Sequence, residues 1–372
     1  MIRDRTIITP LNLDWDRPAD FQRQTCLELA KNNMVIVYVQ HEAYFFLKKK
    51  AINFPKLRNV VFYIPKYFIP LRRFRSIELL NRNLSCLIFL LTLKKSKRIF
   101  WFFDSDFVWM LKFARQKDTT LYDCVDDGLS YKRKVGFTPF KNEVELVKKV
   151  EHFFVNSLAL LIRYRKIRIA TYLPHAGFDL NIFMKYKAKA IPLQKHKVSA
   201  IIGFVGCIDA RMDFILLAKI AAHFTNLQIV LCGPIKSSVQ EQVSLLKKLP
   251  NLECWKAVPR KNIPHIIEQF SVCIIPYKQI PEVYYSFPTK AFEYLYVGKS
   301  VVSSQILELN VISNFIKQCR NQKEWLKSTT DLLKDKNTYR NRKQKNELSI
   351  NHSWRKKLEK ISKYINDAVQ TK

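Results

Sequence analysis

Short apolar runs alternate with longer amphipathic ones along this chain, the pattern left by strands and helices repeating around a mostly parallel sheet. In the first half the apolar runs predict strands at Thr6–Ile8, Val35–Val39, Asn59–Tyr63, Arg98–Phe103, Thr120–Cys124 and His152–Val155. Helical spacing between most of them covers Phe21–Lys31, Ser76–Leu93, Asp106–Arg115 and Glu143–Val150. Lys185 to Lys197, KYKAKAIPLQKHK, is polar, basic and broken by Pro192, which predicts a linker or exposed loop. The alternation then restarts, with strands at Ser199–Val205, Leu227–Leu231, Leu252–Trp255, Val272–Ile275 and Ser300–Ser303. Helices at Phe214–His223, Ser238–Lys248, Pro264–Gln269 and Thr289–Val297 separate them. Two wound sheets in one chain are expected to face each other across a cleft, and interdomain clefts are favoured ligand sites. In the charged tail, Trp354, Leu358, Ile361, Tyr364 and Ile365 recur at helical spacing, which predicts a terminal helix with one docking face. The expected organisation is a first domain at 1–185, a second at 186–345, and a C-terminal helix at 346–372 crossing back to the first.

Length and charge sharpen this picture. A chain of 372 residues exceeds the usual reach of one hydrophobic core, and 48% hydrophobic with 26% charged residues is globular rather than disordered composition. Lys and Arg number 64 against 31 Asp and Glu, a net charge of +33 whose field selects polyanions. Nucleic acid, an anionic lipid surface and a phosphate-bearing substrate all fit, as does a solvated lysine-rich face. The excess is densest from Lys48 to Arg98, where fourteen Lys or Arg stand against one acid, Glu78. Inside that region Leu84 to Leu93, LSCLIFLLTL, has ten residues, about half of what a bilayer requires. It predicts a buried helix first and an interfacial one second, since Arg82, Lys94, Lys95, Lys97 and Arg98 crowd its ends. The opening MIRDRTIITPLNLDWD lacks the apolar core of a secretory signal. Eight cysteines without a CxxC pair, several inside apolar runs such as SVCIIPY, predict reduced thiols in a reducing compartment. Seven scattered histidines predict no metal site.

Two segments carry candidate chemistry. Gly203 to Asp213, GFVGCIDARMD, reads as a buried strand opening through a glycine turn into a helix. Gly206 would let a ligand approach the backbone, free N–H groups at the helix start would face an anion, and Arg211 could add a charge-assisted bond to phosphate. The same turn can hold glycine for geometry alone. No GxxxxGK[ST] or GxGxxG occurs, which argues against a P-loop NTPase or a standard dinucleotide fold. In Tyr284 to Ser304, YYSFPTKAFEYLYVGKSVVSS, Pro288 can start a short helix and Gly298 can end it. Lys290 and Glu293 then share one face. Glu293 could accept bonds from ribose hydroxyls and Lys290 could oppose a diphosphate, or the two could form a surface ion pair. In the first half Asp104, Asp106, Asp123, Asp126 and Asp127 follow strand-like runs, where carboxylates can orient an acceptor hydroxyl or cap helices. Asp126 and Asp127 are the preferred catalytic candidates, since one cap needs only one of them.

PTKAFEYLYVGKSVVSS at 288–304 resembles the donor-binding element of GT-B glycosyltransferases of the large retaining family 4 and related enzymes of bacterial surface polysaccharide assembly. Asn12 to Val39, Pro174-His175-Ala176-Gly177-Phe178-Asp179 and GFVGCIDARMDFILL at 203–217 are similar to further pieces of that group, in the same order. The resemblance implies an α/β GT-B fold, two wound Rossmann-like domains facing an interdomain cleft. It also implies retaining transfer of a sugar from a nucleotide-diphosphate donor, held mainly by the second domain, with no essential metal or cofactor. The acceptor would be a saccharide or lipid-linked saccharide. Glu293 matches the second glutamate of the family's paired acids, but Tyr285 stands where the first would fall, and Glu282 lies three residues too early. Arg211 occupies the place of one phosphate-binding cation, and Lys236 is the substitute for the other. The expected donor site is therefore Gly206, Arg211, Lys236, Lys290 and Glu293, with Lys290, Asp126 and Asp127 in catalytic roles. An anionic membrane surface accounts for the local basic excess better than nucleic acid, for which no recognition module is visible. The expected location is cytoplasmic, peripheral at the inner face of the cytoplasmic membrane. A noncatalytic GT-B-like scaffold and a nucleic-acid-binding protein are the alternatives.

Overall fold

The structure, a computed structural model, describes all residues except 1, 12–14, 16–20, 40–42, 45–53, 71–73, 94–95, 126–138, 175–176, 186–199, 336–340 and 371–372. The chain divides into two compact units. Unit 1 comprises Met1–Asn156, Leu160–Leu173 and Lys357–Lys372; unit 2 comprises Ser157–Ala159 and Pro174–Lys356.

Among the described residues unit 1 contains a seven-stranded sheet made of β1 (Thr6–Leu11), β2 (Met34–Val39), β4 (Val60–Tyr63), β6 (Arg98–Phe102), β7 (Thr119–Cys124), β8 (His152–Val155) and β9 (Thr171–Tyr172). Two short strands, β3 (Ala43–Tyr44) and β5 (Lys66–Tyr67), pair with each other in parallel. The order in the large sheet is β4-β2-β1-β6-β7-β8-β9, with every pairing parallel. Parallel strands covered on both faces read as continuous apolar runs, which is why IFWF in β6 and MVIVYV in β2 are buried almost throughout. The expected helix at Asp106–Arg115 is instead a run of 3-10 turns over Ser105–Phe113, capped by the Asp104 carboxylate accepting the Asp106 N–H at 3.0 Å.

The tail helix, Trp354–Gln370, carries the anticipated stripe. Leu358, Ile361 and Ile365 join the unit 1 core beside Ile7, Val35 and Trp101, while Tyr364 stays exposed with its ring 5.9 Å from that of Phe154. Lys357, on the same helix, donates to both carboxylate oxygens of Asp123 on β7, at 2.8 and 2.9 Å, and both side chains are buried. Asp123 is thus occupied by a structural ion pair.

Unit 2 holds, among the described residues, a six-stranded parallel sheet: β10 (Ile201–Val205), β11 (Gln228–Cys232), β12 (Leu252–Trp255), β13 (Val272–Ile275), β14 (Ser300–Ser304) and β15 (Lys317–Cys319). Its order is β12-β11-β10-β13-β14-β15. The chain winds outward from β10 through β11 to β12, then returns to the other side of β10 and winds outward again. Strand order reverses between β10 and β13, and in such sheets the crevice beyond the carboxyl ends of those two strands is where ligands bind. Both expected donor segments border this point.

Candidate active site at the carboxyl ends of β10 and β13

The backbone sets the shape of the site. Val205 leads from β10 into Gly206, whose φ is +144°, and the neighbouring turn after β11 holds Gly233 at +152°. The two turns lie so close that a Cβ on Gly233 would come within 2.0 Å of the Gly206 carbonyl oxygen. The Gly206 N–H donates to the Cys232 carbonyl at 2.9 Å, the Ile208 N–H donates to the Pro234 carbonyl at 2.9 Å, and the Lys236 N–H donates to the Ile208 carbonyl at 3.0 Å across the same pair of turns. Beyond the turn Asp213 caps the helix Phe214–His223 by accepting the Leu216 N–H at 2.9 Å. Its own N–H donates to the Pro276 carbonyl, and the Lys278 N–H donates to that of Arg211, both at 2.8 Å. Arg211 is therefore fixed against the segment that leaves β13.

The short helix Lys290–Tyr296 approaches from β14's side. Buried Tyr294 fastens it: the Val205 N–H donates to the Tyr294 hydroxyl at 2.9 Å. Ser349 donates to the Phe292 carbonyl, and His352 stacks on the Phe292 ring with centroids 4.3 Å apart. This anchoring brings Lys290 to the glycine turn, where a Cβ on Gly206 would stand 2.9 Å from the Lys290 ammonium. The ammonium lies 4.0 Å from the centroid of the Phe204 ring and 4.7 Å from that of Tyr277, and it donates to the Tyr277 hydroxyl. The Arg211 guanidinium lies over the same Tyr277 ring at 5.4 Å. Two cations thus flank one aromatic side chain at the strand-order reversal.

Asp209 completes the cluster. Arg211 donates to it in bidentate fashion, Nε to Oδ1 at 2.9 Å and Nη2 to Oδ2 at 2.7 Å. Burial works to raise the Asp209 carboxyl, but the Arg211 bond and charge outweigh it and hold Asp209 below its ordinary range. Burial pushes the neighbouring Cys207 thiol up, and Asp209 adds to that push. Lys236 is exposed on the adjoining turn, and its charge acts in the opposite sense on Cys207.

Glu293 is buried, one turn along from Lys290. Desolvation raises its carboxyl above the ordinary glutamate value, partly offset by Arg260 and Lys290. Arg260, at the turn after β12, lies 3.6 Å from Glu293 and 3.9 Å from Asp179. One guanidinium is therefore shared by two carboxylates, the second of them from the PHAGFD stretch.

The structure brings Gly206, Arg211, Lys290 and Glu293 into one region and places Lys236 on the adjoining turn. Asp126, Asp127 and His175 lie outside the described residues. Tyr285 ends the short helix Pro281–Tyr284, its ring 5.2 Å from that of Tyr284, and Glu282 is exposed on that helix. Sequence reasoning missed Asp209, Tyr277 and Arg260. Tyr277 follows β13 directly, so the strand-order rule could have found it; Arg260 carries no local signal.

Comparison with solved structures decides the fold. Anabaena HepE in complex with UDP matches 98% of this chain and all of its own, with a TM-score of 0.72 and 12% identity. The E. coli trehalose-6-phosphate structure bound with UDP-2-fluoro glucose matches 97% of this chain and 98% of its own, with a TM-score of 0.69 and 12% identity. The chain has the GT-B fold. The alpha,alpha-trehalose 6-phosphate synthase of Burkholderia multivorans gives a TM-score of 0.67 at 9% identity, over 99% of this chain and 100% of that one. In sequence, 131 residues are 31% identical to Bacillus subtilis TuaH, a candidate teichuronic acid biosynthesis glycosyltransferase. That match takes in 35% of this chain and a third, 33%, of the relative's length. No family model matches the chain.

Proposed function

We propose that this GT-B chain transfers a hexosyl group from a nucleotide-diphosphate sugar to a saccharide or lipid-linked saccharide acceptor, with retention at the anomeric carbon, in bacterial surface polysaccharide assembly. The observation that carries this reading is the Lys290 ammonium held beside Gly206 at the point where strand order reverses. A diphosphate is the ligand that uses both a bare glycine backbone and flanking cations. The likeness to TuaH supports the polysaccharide setting, and the UDP and UDP-sugar complexes of the structural neighbours support the donor class.

In the proposed reaction the bond from the anomeric carbon to the diphosphate oxygen breaks, and the diphosphate leaves with the electron pair. The acceptor oxygen forms its bond to carbon on the same face, and its proton passes to the departing phosphate. Arg211 and Lys290 oppose the charge that develops on the leaving group, the role for which preorganised cations contribute most. Lys236 adds a third cation at the lip. Glu293 accepts from the ribose hydroxyls. Asp126 and Asp127 orient the acceptor hydroxyl. The same reading sets the enzyme in the cytoplasm, peripheral at the inner face of the membrane that carries the acceptor.

A thermal-shift panel of nucleoside diphosphates tests the donor site, because a ligand of the folded form raises apparent stability. At least one diphosphate is expected to raise Tm, and the corresponding nucleotide sugar to be turned over. Stabilisation without hydrolysis or transfer from any nucleotide sugar would favour the noncatalytic scaffold, for which Tyr285 in place of an acid is the sequence sign. Silence across the whole panel would overturn the donor-site reading.

A further inference from the structure

The helix Arg75–Thr92 exposes more apolar side chains than it buries. Its inward face mixes polar and apolar residues: Asn81 and Ser85 are both 0% exposed. Asn81 accepts the N–H groups of Phe68 and Ile69 at 2.9 and 2.8 Å and donates to the Ile69 carbonyl at 2.7 Å. Ser85 accepts the Lys66 N–H at 3.1 Å, and Cys86, Phe89 and Leu90 complete the buried side. The outward face is apolar. Leu80, Leu84, Leu87, Ile88 and Leu91 follow helical spacing, and Leu80, Leu87 and Leu91 are 52, 46 and 75% exposed. This ridge runs about 17 Å along the helix. Phe74, at the position before the helix, is exposed too. The ten-residue apolar run that predicted a buried helix is thus buried along one side only.

Scattered exposed leucines need no explanation, but a continuous ridge marks a surface that is covered in use. Charge identifies what covers it. Exposed Arg75 and Lys97 bracket the helix, Lys94 and Lys95 follow it in sequence, and from Lys48 to Arg98 the acids number one against fourteen bases. No described helix is long and apolar enough to cross a bilayer. An apolar stripe flanked by cations in sequence, on a helix not apolar enough to span, matches a helix lying in the plane of an anionic lipid surface, leucines in the acyl boundary and cations at the headgroups.

We infer that the Leu80–Leu84–Leu87–Ile88–Leu91 face of this helix inserts into an anionic membrane surface and is the element by which the protein docks there. The inference rests on the peripheral placement proposed above and adds the surface that achieves it. The test is flotation with vesicles of phosphatidylcholine, with and without phosphatidylglycerol, on the full chain and on the triple variant Leu80→Gln, Leu87→Gln, Leu91→Gln. The side chains are exposed, so the variant should keep its Tm and the stabilisation by nucleoside diphosphate. Wild type should bind the phosphatidylglycerol vesicles, and the variant should bind about 30-fold more weakly or worse, from the lost burial of three leucines. A Leu91→Trp variant should gain fluorescence quenching by brominated lipid beyond that of wild type. Equal binding by wild type and triple variant, with no added quenching, would overturn the helix assignment while leaving a charge-driven membrane contact standing. Failure of wild type to bind anionic vesicles would sink both readings. A wild-type oligomer that the triple variant dissociates would assign the ridge to a second copy instead.

Discussion

Replacing Gly206 with alanine probes the donor site through a single methyl group. At φ +144° an L side chain is strained whatever space surrounds it, and such a conformation costs about 1–3 kcal/mol. Domains of 150–250 residues lose about 2–4 °C of Tm per kcal/mol, so the variant should melt ~2–12 °C lower. The methyl would also meet the Lys290 ammonium at 2.9 Å and its Cε at 3.3 Å, forcing the flexible end of that side chain away from Phe204 and Tyr277. One charge-assisted phosphate contact, worth about 1.5–3 kcal/mol, would go with it, a loss of roughly 10–150-fold in affinity. Gly233→Ala is the contrast: its Cβ would meet backbone, the Gly206 carbonyl at 2.0 Å, so the turn itself must shift and the fold should suffer more. Calorimetric titration of whichever nucleoside diphosphate stabilises wild type, beside thermal melts, separates the two. Gly206→Ala binding that diphosphate as tightly as wild type, while Lys290→Ala binds it weakly, would refute the proposed link between turn and ammonium.

Three further predictions follow from the packing. Glu293 titrates high in the fold, so its ionisation opposes folding as pH rises through its folded value, and Glu293→Gln should raise Tm at neutral pH. The same variant should weaken nucleoside diphosphate binding at neutral pH, and it should flatten the fall in affinity on acidification that protonation of Glu293 is expected to cause in wild type, beginning above the ordinary carboxylate range. Tyr277→Phe removes the acceptor of the Lys290 bond but keeps the ring; diphosphate affinity should fall several-fold with Tm nearly unchanged, whereas Tyr277→Ala should also loosen Arg211. Breaking the buried pair by Lys357→Met should cost about 3–5 kcal/mol in chemical denaturation followed on unit 1, and adding Asp123→Leu should recover much of it.

Sequence patterning reached the fold largely because parallel strands buried on both faces leave unbroken apolar runs. Those runs marked β10, β11 and β13 within a residue or two. Short edge strands such as β9 and β15 escaped, since two or three residues generate no period. The helices Gln322–Lys334 and Arg342–Asn351 were hidden in the charged tail, where one buried position per turn is enough to dock a helix. The clustering of Gly206, Arg211, Lys290 and Glu293 was legible because turn chemistry and i,i+3 spacing are local. Tyr277 and Arg260 were not: each reaches its partner only through sheet order, Arg260 from 33 residues before Glu293. The opposite error arose with Asp123, whose place at a strand end suggested chemistry until Lys357, 234 residues later, proved to neutralise it.

The terminal helix has a consequence for biosynthesis. Most of unit 1 leaves the ribosome first, but Leu358, Ile361, Ile365 and the cation for Asp123 are translated only after the unit 2 sheet is complete. Nascent unit 1 must wait with an unfilled core and an unneutralised carboxylate on a central strand. Unit 2 has every strand of its sheet in hand earlier, so it can reach its native state before the portion of the polypeptide that precedes it, reversing the usual vectorial order.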